Sequence, residues 1–100
     1  MLANGVYRAV VESVWPKDTA YGESWQWNFR IAGERYPLRA FTSASLKNQK
    51  TRAFVEAVLH RSVDPTEELY PSYFEGESCT VAVGTILKNG REFNTIESVM

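Results

Sequence analysis

The chain has 100 residues, of which 44% are hydrophobic, and it carries a formal net charge of -1 at pH 7. This length and composition favour a single small domain over residues 1–100 and exclude two independent hydrophobic cores. The near-neutral charge excludes a uniformly basic nucleic-acid-binding protein, and the lone cysteine excludes both an intrachain disulfide and a thiolate metal cluster.

The charges are distributed unevenly along the chain. Residues 1–61 contain nine Lys or Arg against five Asp or Glu, whereas residues 62–100 contain two against seven. A polyanion would therefore dock on the first part of the chain. No apolar run reaches the length of a signal peptide near the start or the roughly 20 residues of a membrane span, so we expect a cytoplasmic protein that does not engage a membrane.

The first predicted element is a strand over residues 6–15, where β-branched and aromatic side chains alternate imperfectly, as in a bent or bulged strand. Residues 16–23 combine turn formers with charges and predict an exposed loop. Tyr21 is expected to be exposed in this loop, whereas Trp15, at the end of the strand, is expected to belong to the core.

The stretch SWQWNFRI, residues 24–31, alternates strictly and predicts a second strand, followed by a hairpin turn around residues 32–34. A two-residue loop at 33–34 would pair Ile31 with Tyr36, Phe29 with Leu38, Trp27 with Ala40, Asn28 with Arg39, and Gln26 with Phe41. Any even loop length keeps the apolar and polar side chains on separate faces. The side chains predicted to face inward are Trp25, Trp27, Phe29 and Ile31. Those predicted to face outward are Gln26, Asn28, Arg30, Arg39 and Phe41.

The middle of the chain predicts one amphipathic helix. Residues 42–45 supply several possible N-caps, and apolar residues at helical spacing extend the helix from a start near residues 46–51 to Arg61. Beyond it, Asp64 as a cap and Pro65 at the first helical position predict a short helical turn that Pro71 ends.

The last part of the chain predicts a hairpin. Residues 78–87 read as a strand, 88–91 as a turn of the Asn-Gly type, and 92–99 as a closing strand. The resulting order, β-β-β-α-β-β, predicts an all-β domain with one helix. It is the plan of the OB-fold, a five-stranded Greek-key barrel that commonly binds oligonucleotides on its second and third strands and their flanking loops.

The sequence also resembles the small single-stranded-DNA-binding-like OB-fold proteins of phages and prophages. The matching motifs are Tyr7-x-Ala9-Val10-Val11, Trp25-x-Trp27-x-Phe29, Thr42-Ser43 and Gly76-x-x-Cys79-x-Val81-x-Val83. The resemblance implies an OB-fold and, by analogy, a role in the replication or recombination of a phage or mobile element. Most of these positions are core positions, so the resemblance bears more directly on fold than on activity.

The candidate nucleic-acid-binding residues are cations, amides and aromatic rings on the predicted outer face and in the first and last loops. They are Lys17, Tyr21, Gln26, Asn28, Arg30, Arg39, Phe41, Lys88, Asn89 and Arg91. Cations would follow the phosphate backbone, and Tyr21 and Phe41 would stack on unpaired bases. The alternative is that Arg30 and Arg39 are ordinary solvated charges and that Phe41 packs against the helix or a loop.

Three other groups have simpler interpretations. The cations Lys47, Lys50 and Arg52 at the helix start could hold a phosphate, but a solvated helix face is the commoner explanation. We expect His60 to lie at the helix end and Cys79 to be a buried structural thiol. The acidic residues Glu67, Glu68, Glu75 and Glu77 fit a solvated loop that would repel nucleic acid.

The sequence offers no nucleophile with a base, no metal-ligand set and no paired acids of defined spacing, so we expect neither an enzyme nor a bound metal or cofactor. The leading hypothesis is non-enzymatic binding of single-stranded nucleic acid, with DNA favoured over RNA. The alternative is a protein-interaction or assembly module on the same barrel, such as a phage accessory factor. Self-association into a homo-oligomer through exposed strand edges is compatible with both.

Overall fold

The computed structural model describes all 100 residues and contains a single five-stranded antiparallel sheet with one α-helix. The strands are β1 (Gly5–Thr19), β2 (Gly22–Ile31), β3 (Leu38–Ser43), β4 (Ser78–Lys88) and β5 (Arg91–Val99); the helix is α1 (Gln49–Leu59), and a 3-10 helix covers Pro71–Tyr73. The predicted order of strands and α-helix is confirmed. The sheet order is β3-β2-β1-β4-β5.

The two end strands of the sheet, β3 and β5, do not close it into a hydrogen-bonded barrel. Their Cα atoms approach within 8 Å, but no strand pairing joins them. The N-terminal segment lies at this seam, where the backbone of Leu2 donates to Asn94 Oδ1 of β5 at 2.8 Å and accepts from Asn94 Nδ2 at 2.9 Å. The mostly-β architecture with one helix is therefore as predicted, whereas the closed barrel is not formed.

The first two strands form one long hairpin. Residues 16–19 continue β1 and pair with β2 as far as Thr19 opposite Gly22, so only Ala20 and Tyr21 turn the chain. The predicted loop over residues 16–23 is wrong because pairing across the hairpin overrides local turn preferences. The predicted irregularity of β1 is confirmed by a bulge, since the register shifts between Val11 and Ser13.

The pairing of β2 with β3 has the predicted register. Trp27 lies opposite Ala40 and Asn28 opposite Arg39, and the Phe29–Leu38 and Gln26–Phe41 pairs are also present. The connection is six residues long, 32–37, instead of a two-residue turn, so the predicted pair of Ile31 with Tyr36 does not form. Because six and two are both even, the division between the two faces is unchanged.

A cluster of 19 buried apolar residues forms the hydrophobic core on the inner face of the sheet, the face covered by α1. Trp27 lies at its centre, with its ring centroid 6.1 Å from Phe29, 5.6 Å from Phe54 and 5.0 Å from Phe74. Its Nε1 donates to Thr42 Oγ1 at 2.9 Å, which satisfies the one polar atom of the indole. The whole predicted inward set is buried: Trp25, Trp27, Phe29 and Ile31.

Helix α1 starts and ends with specific caps. Asn48 Oδ1 accepts from the backbone N–H of Thr51 at 3.1 Å, so the N-cap lies just beyond the predicted candidates at 42–45. His60 ends the helix in the left-handed conformation, with φ 58°. The short helical turn predicted after Asp64 is only a single reverse turn, and the 3-10 helix instead begins at Pro71, where a proline fits the first position. No helix in the structure combines the length and the apolar surface that crossing a bilayer demands.

The β4–β5 hairpin has the predicted Asn-Gly turn. Lys88 pairs with Arg91, and the two residues between them, Asn89 and Gly90, have φ values of 53° and 77°. Positive φ at both central positions matches the twist of the flanking strands. Lys88 and Arg91 therefore form the last pair of the β4–β5 hairpin, next to the turn.

Candidate nucleic-acid interface

The outer face of β1, β2 and β3 carries two rows of side chains that each cross all three strands. The first row is Trp15, Gln26 and Phe41, and the second is Ser13, Asn28 and Arg39. Side chains along β2 point alternately to the two faces of the sheet. Because Trp25 and Trp27 face the core, Gln26 and Asn28 must point away from it. The bulge in β1 brings Ser13 to the position opposite Asn28. The predicted outer-face set is thus brought together, apart from Arg30.

The two amides of these rows are buried even though they face outward. Only 5% of Gln26 and 2% of Asn28 is exposed. Gln26 Nε2 donates to Asn28 Oδ1 at 3.0 Å, and Asn28 Nδ2 donates to Ser13 Oγ at 3.0 Å. The amides face outward as predicted, but neighbouring side chains shield them from solvent, and their hydrogen bonds offset the cost of removing them from water.

A depression of about 330 Å³, here called the amide cleft, has these amides at its base. It is lined by Trp15, Gln26, Asn28, Tyr36, Pro37 and Arg39. Trp15 is 51% exposed and Tyr36 is 72% exposed, so both rings offer free surface. The expectation that Trp15 belongs to the core is wrong, because the neighbouring Val14 takes the inward position and strand alternation turns Trp15 outward.

Both aromatic walls of the amide cleft have a cation beside them. Lys17 Nζ lies 5.7 Å from the ring centroid of Trp15, and Arg35 Cζ lies 5.8 Å from that of Tyr36. These distances fall within the range of cation–π attraction. Each of the two exposed rings therefore has one positive charge beside it.

Arg39 lies between the amide cleft and a second depression. This seam cleft, of about 510 Å³, separates β3 from the β4–β5 hairpin and is lined by Met1, Pro37, Leu38, Arg39, Ile86, Lys88, Glu92, Phe93 and Asn94. Arg39 is exposed and takes part in neither of the two ion pairs of the structure. Its guanidinium is therefore free to bind an anion, and Lys88 adds a second cation at the far wall.

Arg30 has a different environment. It faces outward as predicted, but its Nε donates to Glu12 Oε1 at 3.0 Å, and its Nη2 forms an ion pair with the same carboxylate. An exposed pair of this kind contributes only about 0 to 1 kcal/mol to stability, yet it offsets the charge that a phosphate would meet. Arg30 also lines a separate shallow groove with Arg8 instead of the amide cleft.

The remaining predicted site residues lie at the edges of this surface. Tyr21 is fully exposed at the tip of the β1–β2 hairpin, which confirms the predicted exposure. Asn89 and Arg91 belong to the β4–β5 turn and line neither cleft. Phe41 is 52% exposed in the first row, which favours an outward role over packing against the helix or a loop.

Two carboxyl groups in the acidic part of the chain, residues 62–100, have lowered pKa values. The pKa of Asp64 is lowered by hydrogen bonds from the side chain and backbone of Thr66. The pKa of Glu67 is lowered by the hydrogen bond from Arg61 and then by the backbone N–H of Asp64. Both carboxyls therefore stay ionised at neutral pH.

The other groups singled out in the sequence have structural roles. Lys47 and Lys50 are exposed and Arg52 donates to the carbonyl of Leu46 at 3.1 Å, as on a solvated helix face. His60 Nε2 lies 2.9 Å from the Ser78 carbonyl oxygen. Cys79 is buried as predicted, and burial raises its pKa to about 11, against the opposing influence of Arg8.

The sequence reasoning missed several polar, cationic and aromatic residues of this surface, including Ser13, Trp15, Arg35, Tyr36 and Phe93. Trp15 had a usable signal, because continuing β1 past residue 15 would have paired it with Gln26. Ser13 depends on a bulge, and Tyr36 on the conformation of a six-residue connection, which strand alternation does not describe.

A scan against models of protein families and a search of curated proteins both gave no match.

Proposed function

We propose that the protein is a non-enzymatic binder of single-stranded nucleic acid. The observation that carries the proposal is Arg39, a free guanidinium between two clefts whose walls include the exposed rings of Trp15, Tyr36 and Phe93. Single-strand binders combine cations that follow the backbone with aromatic rings on which bases stack, at roughly 1 to 3 kcal/mol per base. This surface has both components on adjacent strands.

The order of these groups across the sheet predicts the path of the bound nucleic-acid strand. Bases would stack on Trp15, Tyr36 and Phe41, and the phosphates between them would meet Lys17, Arg39 and Lys88. Tyr21 and the turn at Asn89 and Arg91 would extend the surface at its two ends. Arg30, already paired with Glu12, would contribute less.

We further propose that the sheet is an OB-fold with an open seam. The order β3-β2-β1-β4-β5, with β3 and β5 adjacent, supports this assignment, since OB-folds are partly open five-stranded barrels. The candidate interface lies on the strands and loops that such folds use for oligonucleotides. The choice of DNA over RNA, and a setting in phage or mobile-element replication or recombination, rest on the resemblance alone.

The proposal is tested by titrating a fluorescently labelled 20-nucleotide single strand at two salt concentrations. We expect binding that weakens with salt, and Arg39→Ala should lower the affinity for every sequence and reduce the salt slope by about 0.7. Arg61→Ala is the matched control, because Arg61 is paired with Glu67 outside both clefts. Absence of binding at low salt would contradict the proposal, and an Arg39→Ala protein with unchanged affinity and slope would contradict this surface.

A second candidate function is a protein-interaction or assembly module. The specific observation in its favour is that β3 and β5 each pair with one strand only, so that both have an edge without a partner strand. Such edges can accept a strand from another chain or from a second copy. Size-exclusion chromatography with mass measurement tests this case together with the titration, because a dimer that forms without nucleic acid, combined with no binding of the labelled strand at low salt, would favour it.

A further inference from the structure

We infer that the amide cleft reads one nucleobase and selects bases that carry an exocyclic amino group, such as cytosine, over uracil. Gln26 Oε1 would accept a hydrogen bond from that amino group. The inference rests on the proposed function and goes beyond it, because a surface built only from stacking and phosphate contacts is nearly indifferent to sequence.

The Gln26 side chain is buried and yet has an unused acceptor. Its Nε2 donates to Asn28, but its Oε1 accepts no hydrogen bond. Every fully buried side-chain polar atom of the protein has a partner, so this oxygen must reach the surface, and the surface that Gln26 lines is the amide cleft. A residue that is only 5% exposed thus directs its exposed part at the cleft.

The orientation of this amide is held by a chain of hydrogen bonds. Gln26 donates to Asn28, and Asn28 donates to Ser13 on the neighbouring strand. Turning the Gln26 amide by half a rotation would place its oxygen against Asn28 Oδ1, two acceptors with no proton between them. In the structure the oxygen therefore points toward the cleft before any ligand arrives, which limits the entropy lost on binding. Only a concerted reversal, in which the Ser13 hydroxyl donates to Asn28 Oδ1 and Asn28 Nδ2 donates to Gln26 Oε1, would turn it away.

The cleft has the size and walls that a base requires. Its volume of about 330 Å³ lies at the lower end of the range for small-molecule sites. Trp15 and Tyr36 offer exposed rings for stacking, and Lys17 and Arg35 lie beside those rings. Arg39 at the rim would hold the adjacent phosphate, and Gln26 would form a hydrogen bond with the edge of the base.

The selectivity follows from the groups at position 4 of the pyrimidine ring. Cytosine presents an amino donor there, whereas uracil presents a carbonyl acceptor. A carbonyl facing Gln26 Oε1 would leave two acceptors opposed in a partly dehydrated site, and such a mismatch is more costly than the loss of a contact in water.

The test compares dissociation constants of the full chain for 12-nucleotide strands of deoxycytidine and deoxyuridine at pH 8 and low salt. The two strands have similar stacking and the same backbone charge. We expect cytidine to bind about three- to tenfold more tightly, roughly 0.6 to 1.4 kcal/mol. Equal affinity, or tighter binding of uridine, overturns the inference while leaving the proposed function standing. No binding of either strand overturns the proposed function itself, and this inference with it.

Gln26→Met removes the amide with little change in length and should bring the ratio of the two dissociation constants to about one, mainly by weakening the cytidine strand. Gln49→Met makes the same chemical change on the exposed start of α1 and should leave the ratio unchanged. A ratio that persists in Gln26→Met overturns the assignment to Gln26. If circular dichroism shows that Gln26→Met is unfolded, the comparison of the two strands on the unsubstituted protein still decides the selectivity.

Discussion

Both faces of β2 carry buried side chains, but these side chains differ in how they use their hydrogen-bonding groups. On the inner face, Trp27 is fully buried, and its only polar atom bonds to Thr42. On the outer face, Gln26 and Asn28 are almost as buried, yet they bond to each other and to Ser13 and leave an acceptor pointing at a cleft. Burial alone therefore does not separate a core from a binding surface.

The difference lies in how completely the hydrogen-bonding capacity is used within the chain. A core side chain contributes to stability by packing and has nothing left to offer a ligand. An outer-face amide that is held by hydrogen bonds, with one group unused, would lose little further freedom on binding a ligand. The same strand thus combines the centre of the fold with the candidate site.

The strongest test of this comparison is a pair of identical substitutions on opposite faces. Trp27→Ala should lower the free energy of unfolding by about 3 to 5 kcal/mol, because it removes a buried indole at the centre of the core. Trp15→Ala should cost less than about 1 kcal/mol, since half of that ring already lies in solvent. Urea denaturation followed by circular dichroism measures both, and equal losses would show that Trp15 is a core residue.

The inner face also makes a prediction about chemistry, because burial keeps the Cys79 thiol protonated. With its pKa raised to about 11 from 9.0, the native thiol should react with a disulfide reagent at pH 8 about a hundredfold more slowly than in urea. Fast reaction of the native protein would mean that this part of the core opens readily.

The raised pKa of Cys79 also predicts how the free energy of unfolding depends on pH. The folded state holds the Cys79 proton above the pH at which the unfolded state releases it, so its contribution to stability is complete below about pH 9 and is lost as the pH rises toward 11. The difference in unfolding free energy between the unsubstituted protein and Cys79→Ala, measured at pH 8 and pH 10.5, isolates this contribution from other titrating groups. A difference that does not change with pH would contradict it.

On the outer face, Trp15→Ala should weaken binding of a single strand by roughly 1 to 3 kcal/mol, the range for loss of one stacked base. Trp15 is exposed whereas Trp25 and Trp27 are buried, so quenching of tryptophan fluorescence by the nucleic acid should largely disappear in Trp15→Phe if the ring itself is the reporter. Quenching that survives unchanged would place the bound strand elsewhere.

The smallest expected effect concerns Arg30. Glu12→Gln removes the carboxylate that pairs with Arg30 and should raise the affinity for a single strand by about twofold at low salt. Glu75→Gln makes the same change in charge in the acidic part of the chain and is the control. If both variants gain equally, the effect reflects net charge and not the release of Arg30.

Much of the fold could be predicted from the sequence because it depends on strong local patterns. Strict alternation over residues 24–31 and a connection of even length gave the division between the two faces, and centring the turn on residues 33–34 gave the β2–β3 register. The Asn89–Gly90 turn was also predictable, because few other residue pairs adopt positive φ twice in succession. The burial of Cys79 was also predicted, because it begins a predicted strand and no base could be identified as its partner.

The details of the site were less predictable because they depend on contacts between segments far apart in the chain. Arg30 looked like a free cation because the sequence alone does not show that Glu12, on the neighbouring strand, lies within hydrogen-bond distance of it. Trp15 looked like a core residue because the strand was expected to end there. The unpaired seam between β3 and β5 depends on how far the sheet coils, and no local pattern reports that.

By itself the sequence determined which side of each central strand faces the core, because side chains alternate with period two and a polar row cannot replace an apolar one inside. Only the tertiary structure decided that Gln26 and Asn28 on the other side would be shielded and tied to Ser13, that Trp15 and Tyr36 would form walls above them, and that Arg39 would stay unpaired. Those outcomes require three strands and a distant connection to meet in space, and alternation along one strand carries no information about its neighbours' side chains.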